Sequence, residues 1–207
     1  MKNGGGCVAV HAADNAFPQW AEYNRMIAVG GWGGRNDQSG PMLRWRNGQV
    51  VRDLHGGAGT HGQFFSFVIE TRDATHPITK GLPKMWMHVG DELYATLRGP
   101  GNMTVLATAH SDPANRGTGH DEPILMVLTY GKGRIFHTAM GHDLAALNCV
   151  GLMTTYQRGT EWAATGKVTQ KVPFDFPTAS KSSTRAEYNP PAGWTSPGGA
   201  PRPRPKQ

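Results

Sequence analysis

A short apolar run without alternation, Cys7-Val8-Ala9-Val10, ends abruptly in the polar corner His11-Ala12-Ala13-Asp14. That pattern predicts a strand covered on both faces, and strands of this kind in open α/β sheets end at the binding crevice. Trp20, Tyr23, Met26 and Ile27 then recur at helical spacing, with Pro18 suited to a first helical turn and the glycines at 30–34 marking the exit. Residues 30–63 read as a long glycine-rich excursion, interrupted only by a hairpin pattern over 43–50 whose turn is Asn47-Gly48. Further strands are predicted at 65–70, 92–97, 103–109, 124–130 and 134–139, the last two joined by Gly131-Lys132-Gly133. Leu147, Val150, Leu152, Met153, Tyr156 and Trp162 predict a helix over 144–165, with Gly151 and Gly159 as its weak points. From 176 onward Pro, Ser, Gly and Arg dominate, so the chain divides into a folded domain, 1–175, and a disordered tail, 176–207.

Charge changes this picture little. The formal net charge is +6 over 207 residues, but the tail alone sets Lys181, Arg185, Arg202, Arg204 and Lys206 against a single Glu187. A nucleic-acid partner therefore has only that tail in its favour, and few aromatics interleave with it. No stretch approaches the roughly 18 apolar residues of a membrane span, and the N-terminus lacks a signal-peptide pattern, so a cytoplasmic protein without a membrane partner is expected. The two cysteines, Cys7 and Cys149, fall inside apolar segments and read as buried thiols.

Nine histidines are many for this length, and imidazole suits both proton transfer near neutral pH and transition-metal binding. No pair has zincin spacing and no Cys-x-x-Cys occurs, so no preformed metal motif is present. Three groupings stand out. His11 shares its corner with Asp14 and Asn15, which places a base beside a carboxylate able to orient it, although Asp14 would serve equally as a helix cap. Gly141-His142-Asp143 lies between a strand and a helix, again at a carboxyl end of the sheet. Asp91-Glu92 opens a strand as an acidic pair, of which one member could face the crevice while the other is solvated. His61 sits between glycines that allow close backbone approach to a ligand, and Trp32, Trp45 and Trp86 offer flat faces for sugar rings or for the core.

Five segments together carry a resemblance: Asn3-Gly4-Gly5-Gly6 to His11-Ala12-Ala13, His76-Pro77-Ile78-Thr79-Lys80-Gly81-Leu82-Pro83, Asp91-Glu92-Leu93-Tyr94, Gly131-Lys132-Gly133-Arg134 to Gly141-His142-Asp143, and Arg158-Gly159-Thr160-Glu161-Trp162-Ala163-Ala164. In that order they resemble the trehalose-utilisation, ThuA-like family over 3–165. The resemblance implies an α/β, flavodoxin-like, class I glutamine amidotransferase-like three-layer sandwich, here N-terminally incomplete because the chain opens almost at the Gly-Gly-Gly strand. A second copy of the chain is one candidate to cover the exposed strand edge.

In amidotransferases of this superfamily a cysteine nucleophile stands at the strand-to-helix elbow. Here the elbow carries His11, and Cys7 lies four residues earlier, so glutamine hydrolysis through a thioester is not expected. The resemblance implies instead a small-molecule sugar substrate, a keto-disaccharide or relative, handled by proton transfer. His11, His142, Asp14 and Glu92 are the expected catalytic group, with His61, Asn15, Trp32 and Asp143 near the substrate. Two alternatives stay open: a divalent ion such as Zn²⁺ held by some of His11, His61 and His142, and a non-catalytic carbohydrate-binding or interaction domain.

Overall fold

The computed structural model describes residues 1–185. In chain order its elements are β1 (Gly6–Val10), α1 (Ala21–Ile27), β2 (Met42–Arg46), β3 (Gln49–Asp53), β4 (Thr60–His61), β5 (Val68–Thr71) and β6 (Met85–Met87), then β7 (Tyr94–Ala95), β8 (Thr104–His110), β9 (Asp121–Tyr130), β10 (Gly133–Thr138), α2 (Leu144–Leu147) and α3 (Val150–Thr165). Eight strands form one mixed sheet in the order β1-β10-β9-β8-β5-β6, with the β2–β3 hairpin joined to β9, while β4 and β7 pair separately. The chain is thus an α/β protein dominated by its sheet. Among the described residues only β1 and β10 run parallel, with Val10 beside Thr138; β10, β9, β8, β5 and β6 succeed one another antiparallel.

Side chains alternate across a strand, and β10 shows how the helices use this. Phe136 meets α3, where a Cβ added to Gly159 would stand 2.1 Å from the ring. On the opposite face, the Nδ1–H of His137 donates to the Ile27 carbonyl at the end of α1, 2.8 Å away. Helical layers therefore lie on both faces. The core centres on Phe136, Leu106, Ile124, Leu125, Met126 and Trp86, all fully buried, each such side chain contributing about 1.5–3 kcal/mol.

Several expectations change. The first strand was expected to be a buried one; it is half-buried, with only Ala9 of its residues buried, and among the described residues it pairs on one side only, as the last strand of its sheet. The glycines at 151 and 159 lie inside α3 and do not interrupt it, because bare Cα atoms let the helix press against Trp86 and Phe136. The helix breaks earlier, at Asn148-Cys149. The strand expected at 92–97 shrinks to β7, since Thr96 takes a left-handed φ of 54°. The three-residue β6 is too short to announce itself by periodicity.

The 30–63 excursion is held from beneath by two buried guanidiniums. Arg98 donates to the carbonyls of Gly40, Leu54 and Gly56 and to Asp37; Arg35 ties Ala16, Gly31 and Asn24 together. At the other end, residues 176–185 lie against the body: Phe176 packs on Trp86, Met87 donates to the Thr178 carbonyl, and Val150 donates to the Ser183 carbonyl. The rest of the expected disordered tail, 186–207, lies outside the described residues. Among the described residues no helix is long and apolar enough to cross a membrane.

Candidate functional site

Because β1 and β10 are parallel neighbours in register, the residues that follow them emerge side by side at one rim of the sheet, where open α/β folds bind ligands. His11 follows β1 directly and takes a left-handed φ of 42°, a costly conformation for a non-glycine residue and one that collects at functional sites. Its Nδ1–H donates to the Ala139 carbonyl just past β10, at 3.1 Å. That bond fixes the tautomer and leaves Nε2, in the neutral ring, as a lone pair. His142 lies on the loop after β10, with Nδ1 at 3.3 Å from His11 Nε2 and 3.0 Å from Glu92 Oε2. Glu92 Oε2 is also 3.7 Å from His11 Nε2, while Glu92 Oε1 lies 3.9 Å from His61 Nε2. His11, Glu92 and His142 are the one group among the described residues whose donor atoms converge closely enough, within 4.8 Å, to hold a metal ion.

Aromatic rings wall this cluster. Tyr94 stacks on His11 with centroids 3.9 Å apart, and Trp32 follows Tyr94 at 4.4 Å. Trp32 owes its place to Gly59, where a Cβ would stand 2.5 Å from the Trp32 backbone nitrogen. Burial first, then the nearby Glu92, Asp14 and Asp91 carboxylates, push the Tyr94 phenol up to about 12 despite its hydrogen bond with Asn15, so it stays a proton-bearing donor. Phe64 flanks the outer side of His142 at 6.4 Å. A hollow of about 440 Å³ lined by His76, Met103, Val127 and Trp162 contains none of these groups.

Behind the crevice stands Asp91, fully buried. Its carboxylate accepts the backbone N–H groups of Gly141, His142 and Glu92 and the Nε2–H of His88, at 2.9 Å. Burial alone would lower the His88 imidazole, but hydrogen bonds with Asp91 and Cys149 outweigh it and lift it to about 9. Burial would likewise raise Asp91, yet His88 and the two loop N–H groups hold its carboxyl below the usual range.

The trehalose-utilisation family matches residues 1–163. The chain belongs to the ThuA family. Among solved structures, a ThuA-like protein from Parabacteroides merdae is 50% identical with a TM-score of 0.87, over 89% of this chain and 69% of that one. A ThuA-like protein from Bacteroides uniformis is 19% identical with a TM-score of 0.49, over 81% and 63% of the two chains. No curated protein matches. Membership of the ThuA family ties this chain to trehalose utilisation and so to carbohydrate metabolism.

Within this ThuA-family chain the expected site residues divide. His11, His142, Glu92 and His61 converge, with Trp32 on the wall and Asn15 reaching Tyr94. Asp14, expected to orient His11, is fully buried and lies 2.7 Å from His137 instead, because the turn after β1 directs it beneath the sheet rim. Asp143 caps α2 by accepting the Ala146 N–H. Neither acid of the 91–92 pair is simply solvated: Asp91 faces inward and Glu92 faces the crevice. Of the other tryptophans, Trp86 is core. The site residues that sequence reasoning missed are Tyr94 and Phe64, and the positioning role of Asp91 within the acidic pair; Tyr94 lay two residues beyond Glu92, at the alternation that puts both on one side of a strand.

Proposed function

We propose that this ThuA-family protein is an enzyme that acts on a keto-disaccharide or a closely related sugar by imidazole-mediated proton transfer at the His11–Glu92–His142 crevice. One observation carries the reading: two imidazoles from distant segments meet on one carboxylate at the carboxyl rim of β1 and β10. A ketone acidifies the neighbouring C–H bond, and its removal needs a base on carbon and a donor for the enediolate oxygen. His11 offers the Nε2 lone pair; His142, half exposed and bonded to Glu92, exchanges protons with solvent. The half-buried Trp32, backed by the buried Tyr94, supplies the apolar surface on which a pyranose ring stacks, and His61 stands where the sugar hydroxyls would lie. Helices on both faces of β10 support the flavodoxin-like, amidotransferase-like sandwich as the wider architecture.

The test is solvent exchange. Incubated in D₂O with a 3-keto-disaccharide, the wild-type protein is expected to wash deuterium into the carbon beside the ketone, followed by proton NMR. His11→Ala and His142→Ala are each expected to slow that exchange by about 10²-fold or more. Exchange at the wild-type rate in both variants overturns the assignment. Sugar binding with no exchange by the wild type also overturns it, in favour of a non-catalytic carbohydrate-binding domain.

A further inference from the structure

We infer that His11 Nε2, His142 Nδ1 and Glu92 Oε2 form a three-donor site for a divalent transition-metal ion, zinc above all. The inference deepens the proposed function and rests on it for the role of the ion, but not for the existence of the site. The first support is proton counting. His11 spends its Nδ1 proton on the Ala139 carbonyl, so Nε2 faces the cluster as an acceptor, and both Glu92 oxygens are acceptors as well. Only His142 Nδ1 has a proton to offer, and it has two acceptors within 3.3 Å. Three lone-pair atoms around at most one proton are a poorly satisfied arrangement that a cation completes.

Distance is the second support. The three donors stand 3.0, 3.3 and 3.7 Å apart, and a tetrahedral ion with ligands at about 2.0–2.1 Å separates its donors by roughly 3.3–3.4 Å. Orientation is the third. A ligating histidine is ordinarily fixed by its other ring nitrogen on a carbonyl or carboxylate, as His11 is on Ala139. The loop bearing His142 and the backbone of Glu92 are held in turn by the buried Asp91 carboxylate. Two histidines and one carboxylate would leave a four-coordinate ion one open position, the arrangement of a catalytic rather than a structural site. A neutral ketone or hydroxyl oxygen is the class of ligand that position takes. With the ion bound, His11 and His142 would serve as ligands and the ion would polarise the ketone, so the base on carbon would pass from His11, its place in the metal-free reaction, to His61, whose Nδ1–H is tied to the Gly62 carbonyl.

The experiment uses the full chain, freed of metal by chelator dialysis and titrated with zinc chloride by calorimetry, with bound metal counted by elemental analysis. One ion per chain is expected. His142→Ala and Glu92→Gln are each expected to weaken binding at least tenfold, while His61→Ala binds as the wild type does; far-UV circular dichroism confirms that the variants fold. Absence of zinc binding by the wild type overturns the inference, as does unaltered binding by both His142→Ala and Glu92→Gln. The two readings fail separately. Zinc binding without exchange on the keto-sugar overturns the proposed reaction and leaves the site standing, whereas exchange by a protein that binds no zinc does the opposite.

Discussion

Asp91 and Glu92 are neighbours in the chain, yet they anchor two regions that treat the same chemistry in opposite ways. Asp91 closes a sealed pair with His88, every contact of its carboxylate matched by a donor. Asp14 and His137 form a second buried pair beneath the rim, 2.7 Å apart; burial would lower the His137 imidazole, but Asp14 and the Ile27 carbonyl together raise it. Glu92 stands among three imidazoles that reach solvent through His142 and His61. A histidine–carboxylate contact is therefore no mark of a site by itself. What separates crevice from scaffold is the access of solvent: His142, His61 and Glu92 reach it, and both scaffold pairs are sealed from it.

The sharpest way to break this comparison is to remove each acid in turn. Asp91→Ala strands His88 and three backbone donors, and is expected to cost about 3–5 kcal/mol in urea unfolding. Glu92→Gln is expected to stay within about 1 kcal/mol of the wild type while losing keto-sugar exchange. Equal stability losses would erase the distinction between the two regions.

Glu122 sharpens it as a buried carboxyl whose one cation stands at the edge of ion-pair range: burial, only partly offset by Thr118 and Arg44, raises it from 4.5 to about 7, and Arg44 Nε is 3.8 Å away. Its folded value is the raised one, so the stability it contributes is fully present below pH 4.5 and is lost as pH climbs to about 7. The stability of the wild type minus that of Glu122→Gln is expected to fall across this window by on the order of 3 kcal/mol, at about 1.36 kcal/mol per pKa unit. A difference that rises with pH would mean that Arg44 keeps the acid ionised. The smallest effect belongs to the exposed acid: Asp143→Ala is expected to cost about 1 kcal/mol through its lost cap, with Asp143→Asn restoring it.

Much of the framework could be read along the chain. The Asn47-Gly48 turn with both φ angles positive, at 51° and 81°, the strands β8 to β10 and the helix α3 all follow from local pattern, because alternation and turn chemistry act over a few residues. His11 and His142 could be placed at strand ends for the same reason. Their meeting was a different matter. It depends on β1 lying parallel to β10 across more than a hundred intervening residues, a pairing that no local periodicity encodes.

The amino-acid sequence by itself determined the family, the mixed α/β character and the imidazoles at the rim, since each rests on residue types and short spacings. Only the tertiary structure decided which carboxylate each imidazole meets: His137 took Asp14, His88 took Asp91, and Glu92 was left to His11 and His142. The physical reason is that a side chain's partner is set by the direction in which its backbone aims it. A left-handed turn at His11, the break after Tyr94-Ala95 and the N–H groups gathered on Asp91 set those directions from outside their own segments.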